Sequence, residues 1–270
     1  MSIPKPIVTR EHGSWAVLIV PLCIGAVQAG SFSWNVAAFS LSALGAFLGY
    51  VPVQTAVRER IRGTTTRNTT AWKFWLYFYT GLILLGFIPL LVQRLWLLII
   101  LGLLAVLFFG LNFFLTRTIH KSIAGDLAGV VGLSLGAPGA YYAATGRVDT
   151  AIVTTWFLTV LFFGCSVLYV HMKIQSQKSR RENFTLYEKL RIGNGNILYH
   201  AMVLLLVLVL VAENLTPALV LIAFIPMVVH SLVGTIRLDH PVHFKHLGFL
   251  LLGHAVLFAS VMMWTMGVSR

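Results

Sequence analysis

Acidic side chains are scarce: eight Asp and Glu stand against twenty Lys and Arg in 270 residues, and charged residues make up only 10% of the chain. That shortage excludes an Asp-rich cage for divalent cations, which needs several oxygen ligands close together. With 58% hydrophobic residues and a mean hydropathy of +0.85, the chain also has too little polar sequence to cover a soluble domain of its length. Cysteine is almost missing. Cys23 and Cys165 both lie in apolar stretches and form no Cys-x-x-Cys, which leaves them as packing residues and removes a thiolate metal site. A removable leader is not expected either, because Met1 to Glu11 is short and polar and no small-residue cleavage site follows the first apolar run.

What the chain does have is apolar sequence in nine long blocks. Crossing a hydrocarbon core takes about 20 helical residues. Stretches near 14–31, 34–56, 72–92, 95–115, 123–145, 150–172, 196–212, 215–235 and 247–267 are long enough or nearly so. Turns at Gly30–Trp34, Gln93–Arg94 and Glu213–Asn214 separate neighbours that would otherwise fuse into helices too long for one bilayer. The expected fold is all-α, a single transmembrane domain over residues 1–270 built as a bundle of nine helices.

Basic residues set the expected orientation. With nine spans and a cytoplasmic N-terminus, only Arg94, Arg147 and Arg270 fall outside, leaving seventeen of the twenty Lys and Arg inside. The C-terminus is then outside, and the expected location is the cytoplasmic (inner) membrane of a bacterium. The net charge of +12 reads as loops facing anionic lipid, so a nucleic-acid partner is not expected. The two longest connections, Val57–Ala71 and Lys173–Gly195, are both basic and both cytoplasmic in this arrangement. They follow the second and sixth spans, which suggests a duplicated four-helix unit plus a ninth helix, with both loops over one central cavity.

Candidate ligand-binding residues cluster at that face. Gln54, Arg58 and Arg62 recur every fourth residue, so a helix continuing past the bilayer would set them on one face to grip an anionic headgroup. The plainer reading is a basic flank that only orients the protein. Arg10-Glu11-His12-Gly13-Ser14-Trp15 brings a carboxylate, an imidazole and a flexible glycine to the same depth. Asp126 opens the fifth span, where a carboxylate is costly unless paired, and Lys121 or Arg117 in the preceding turn is the expected partner. The rest of that span, from Gly125 to Gly139, is a small-residue stripe that favours tight helix packing and would also suit an isoprenoid chain. Of the nine histidines, all but His254 are read as lying at or near cytoplasmic helix ends. His240-Pro-Val-His243-Phe-Lys-His246 has ligand-like spacing, but Pro241 interrupts a helix and Lys245 repels a cation. Imidazoles beside Arg58, Arg62, Arg117 and Lys173 suit phosphate better.

The run Arg10-Glu11-His12-Gly13-Ser14-Trp15-Ala16-Val17-Leu18, followed by Pro21, resembles the opening signature of the YwiC-like family of bacterial membrane proteins. That resemblance implies no particular reaction. The nine-span layout with basic loops after spans two and six is similar to the UbiA superfamily of intramembrane prenyltransferases, whose loops carry Asp-rich motifs for magnesium and prenyl diphosphate. Here those places read Gln54-Thr-Ala-Val-Arg58-Glu59-Arg60-Ile-Arg62 and Tyr169-Val-His171-Met-Lys173-Ile-Gln175-Ser-Gln177. Phe113 to Arg117 resembles the superfamily's Tyr-x-x-x-Lys, and the glycine-rich fifth span ending Thr145-Gly146 is also similar.

The expectation is a UbiA-like bundle binding an anionic membrane lipid or isoprenoid in a cytoplasm-facing cavity. Arg10, Glu11, His12, Gln54, Arg58, Arg62, Arg117, Asp126, His171 and Lys173 are its candidate contacts. No cofactor is expected and magnesium is not. If the protein is an enzyme, the resemblance implies an atypical transferase acting on a lipid. Two alternatives are a small-solute or anion transporter, with Pro138 and Pro226 as sites for broken helices, and a His-dependent metal or haem protein.

Overall fold

The computed structural model describes residues 5–9, 12–30, 32–63, 69–118, 122–179, 183–240 and 242–268. All regular structure among them is helical: α1 (His12–Gln28), α2 (Trp34–Arg62), α3 (Thr69–Val92), α4 (Leu97–Thr118), α5 (Ile123–Ser134), α6 (Gly136–Thr145), α7 (Thr150–Lys178), α8 (Leu186–Ala212), α9 (Val220–Ile236) and α10 (Phe244–Val268). α5 and α6 together make the fifth expected span. Seven of the resulting helices are long and apolar enough to cross a membrane, while α1 and α9 are shorter apolar helices. The chain is therefore a multi-pass helical membrane protein.

The two long basic connections are mostly helix. α2 runs on to Arg62 and stops at Gly63, which takes φ 62° where any side chain would be strained. α7 runs on to Lys178, and α8 starts at Leu186 on a capping box in which Thr185 and Glu188 exchange bonds with each other's backbone. At about 1.5 Å per residue, the 29 residues of α2 and of α7 exceed a hydrocarbon core of about 30 Å. The expected extramembrane loops are in large part helix ends that project beyond the bilayer.

Contacts fix which helix ends share a face. Gln177 donates to the Val242 carbonyl, the Phe184 amide donates to Asp239, and Lys173 donates to Gly234, so the end of α7, the start of α8, the end of α9 and the start of α10 lie together. This is the basic face. On the opposite face Asn35 and Gln93 exchange two 2.8 Å bonds, and Thr155 donates to Gln28 at 2.9 Å.

One core joins α1 to α7–α10, with Phe162 stacked on Phe258 at 4.1 Å between ring centres and Phe224 edge-on to both. Two glycines let backbones touch. A Cβ on Gly25 would overlap the Ala137 carbonyl where α1 meets α6, and one on Gly86 would overlap the Ala38 carbonyl where α2 meets α3. The fifth span breaks at Leu135 because Pro138 has no N–H for the Ser134 carbonyl. The Leu135 amide turns back to Gly132 at 3.3 Å, and the helix resumes at Gly136.

Candidate ligand groove at the basic face

Tyr50, Gln54 and Arg58 occupy successive turns of α2, as the four-residue spacing predicts, and the helix does continue past Arg58. The Tyr50 hydroxyl donates to Asn112 of α4, and Asn112 in turn donates to the Gly125 carbonyl of α5 at 2.7 Å. A polar chain thus crosses from α2 to the first turn of α5, whose N-cap is Ser122. Glu59, inside the basic run, accepts from the Trp72 indole of α3 at 2.9 Å. Gln54 is half-buried and Arg58 exposed.

Asp126 follows Gly125. Its carboxylate pairs with His171 Nε2 of α7 at 2.7 Å, a partner far along the chain; Lys121 and the Arg117 side chain, the partners expected in the preceding turn, lie outside the described residues. The carboxylate side chain is 44% exposed and the imidazole 13%, so the pair sits at the edge of the bundle.

Beside it lies a groove of about 350 Å³ between α5, α7 and α8. Leu168, His171, Gln175 and Lys178 line it along one face of α7, at the three- and four-residue spacing of a helical stripe. Ile123 of α5 and Ile192, Gly195 and Asn196 of α8 supply the other walls. From Lys178 to Leu168 the α7 wall drops about 15 Å, passing from cation to amide to imidazole to hydrocarbon. That gradient matches an amphiphile with an anionic head and an apolar tail.

Lys173, expected at the headgroup, is turned elsewhere. Its ammonium is buried and donates to the Gly234 carbonyl at 2.7 Å and the Arg237 carbonyl at 3.3 Å, closing the C-terminal end of α9. Among the described residues Gln54 and Arg58 do not line the groove, where the two basic regions were expected around one cavity. Asp126 and His171 are the expected residues that the structure brings together. Arg10 and Glu11 lie outside the described residues, as do the side chains of His12, Arg62 and Arg117.

Gln175, Lys178 and Asn196 were not among the expected contacts. Gln175 and Lys178 continue the stripe begun by His171, a signal present in the sequence once α7 is extended to Lys178. Asn196 had no such signal, because it opened an expected span and looked like any polar helix end.

His200 and His230, expected near helix ends, sit in mid-helix, as His254 was expected to. His200 is 2% exposed, and its Nδ1 lies 2.8 Å from the Asn196 carbonyl. His230 packs against both Tyr169 and His254, and the Nε2 atoms of all three histidines are buried without hydrogen-bond partners. Below this layer the Phe162, Phe224 and Phe258 cluster and Met227 are fully buried. Among the described residues no group of three or more His, Cys, Asp or Glu is placed to hold a metal ion.

Comparison with known proteins agrees with the reading of the N-terminal half. Residues 8–141 match the family described as YwiC-like protein. The chain is also 27% identical over 180 residues to "Uncharacterized protein YwiC" of Bacillus subtilis (strain 168), covering 65% of this chain and 70% of that one. No solved structure matches. Built as a multi-pass helical bundle, the chain matches the YwiC-like family over residues 8–141, the stretch that carries Arg10 to Leu18.

Proposed function

We propose that this protein binds an anionic amphiphile, a phosphate-bearing lipid or an isoprenoid phosphate, in the groove between α5, α7 and α8. One observation carries the reading: a single face of α7 descends from Lys178 through Gln175 and His171 to Leu168, so charge and hydrocarbon are offered to the same ligand at successive depths. The cation supplies what an Asp-rich, magnesium-bridged motif supplies in the UbiA-like proteins that the loop layout resembles. Binding is direct, without a divalent metal between protein and phosphate. In this reading the basic face is cytoplasmic, the N-terminus is inside, and the membrane is the bacterial inner membrane.

The test is the lipid that stays with the purified protein. Extraction and mass spectrometry of wild type and Lys178→Glu should show an anionic phosphate lipid enriched over the bulk membrane in the first and lost in the second. Retention should survive a chelator and weaken with salt. A wild-type profile equal to that of the surrounding membrane overturns the reading.

A second reading, a small-solute or anion transporter, is favoured by the break in the fifth span at Leu135, since discontinuous helices mark many transport sites. Proteoliposomes loaded with small anions should then show flux that Pro138→Ala alters. A kink due only to the missing proline N–H leaves no flux to alter.

A further inference from the structure

Two polar groups in the groove have their hydrogen-bonding sense fixed by neighbours. The Thr235 hydroxyl donates its proton to the Ser231 carbonyl at 2.9 Å, so toward Asn196 it can only accept. The Asn196 amide nitrogen therefore faces Ser231 at 2.6 Å and Thr235 at 3.3 Å, and its Oδ1 points away from both. Asn196 lines the groove, is 3% exposed, and its Oδ1 has no hydrogen-bond partner. A buried acceptor left unmatched costs about 1–3 kcal/mol, so a donor from a ligand has a ready site there.

His171 is fixed in one direction too: its Nε2–H is given to the Asp126 carboxylate. The groove thus holds an unmatched acceptor in Asn196, and the cation stands at the mouth as Lys178.

We infer that the ligand's headgroup carries hydroxyl donors as well as an anionic phosphate, as a glycerophosphate ester does, and that Asn196 Oδ1 reads a hydroxyl while Lys178 holds the phosphate. This rests on the amphiphile reading above and narrows it. A bare phosphate monoester or a prenyl diphosphate offers the anion but leaves Asn196 unmatched.

Native mass spectrometry of the full chain in detergent, with chain-matched lipids, tests this. Phosphatidylglycerol should be held about three- to tenfold more tightly than phosphatidic acid, the value of one hydrogen bond. The dimethyl ether of the same glycerol headgroup should fall to the level of phosphatidic acid, a comparison that needs no variant. Asn196→Leu should bring the retention of phosphatidylglycerol down to that of phosphatidic acid in the same preparation. Equal retention of phosphatidylglycerol and phosphatidic acid overturns the hydroxyl assignment and leaves the anionic-amphiphile reading standing. Preference for geranylgeranyl diphosphate over phosphatidylglycerol also overturns it. Retention of none of these probes overturns both.

Discussion

Asp126 in α5 and His171 in α7, 45 residues apart in sequence, share a hydrogen bond of 2.7 Å at the rim of the groove. The bond ties the first turn of the broken fifth span to the long helix that forms the groove's main wall. His171→Leu should lower unfolding stability by about 1 kcal/mol, a value in keeping with interhelical hydrogen bonds in membrane proteins. A double-mutant cycle with Asp126→Leu should return a coupling of similar size. Additive losses would show that the two side chains do not act together.

Lys173 and Lys178, five residues apart on one helix, should behave oppositely. Lys173→Met strands the Gly234 and Arg237 carbonyls at the end of α9 and should cost about 2 kcal/mol of stability. It should leave lipid retention intact in protein that folds. Lys178→Ala should barely move the melting temperature and should weaken retention of an anionic lipid. Thermal melts and lipid extraction on the same preparations check both.

How much of this could be read from residues alone depends on the range of the interaction. Span positions were legible, because about 20 apolar residues in a row leave few alternatives. The α2 face was legible too, since helical spacing is local. The destination of Lys173 was not: near a helix end its charge suggested solvent, and only the docking of α9 brings two orphan carbonyls to it. Nor was the pairing of Asp126 with His171, which comes from another helix far along the chain. Asn196 was invisible because the start of this helix was set at that residue, ten residues beyond the true start at Leu186.

Gly25 should tolerate no side chain. A Cβ there meets the Ala137 carbonyl of α6, backbone that cannot swing aside as a flexible side chain would. Gly25→Ala should destabilise by about 1–3 kcal/mol, the usual range for overpacking. Gly81→Ala, where nothing lies within 4 Å, is the control and should be near neutral. Unfolding midpoints of the two variants in one detergent make the comparison.

Acid should loosen the hold of the α9–α10 connection on the start of α8. The Lys189 ammonium beside Asp239 holds its carboxyl below the ordinary aspartate value, helped by the Phe184 amide that donates to it. A lowered folded value means that the contribution is complete above the ordinary value and is lost as pH falls through the folded one. The melting-temperature gap between wild type and Asp239→Asn should therefore be constant near neutrality and close only in strong acid. A gap that closes between pH 7 and 5 would contradict the assignment.

Location of the bound lipid bears most directly on the account. A phosphatidylglycerol analogue with a photoreactive diazirine in its acyl chain, mixed with the full chain and irradiated, should label Leu168, Ile123 and Ile192, with labelling reduced in Lys178→Glu. Labels spread evenly around the lipid-facing helices α3 and α4, unchanged by Lys178→Glu, would contradict a groove-bound ligand.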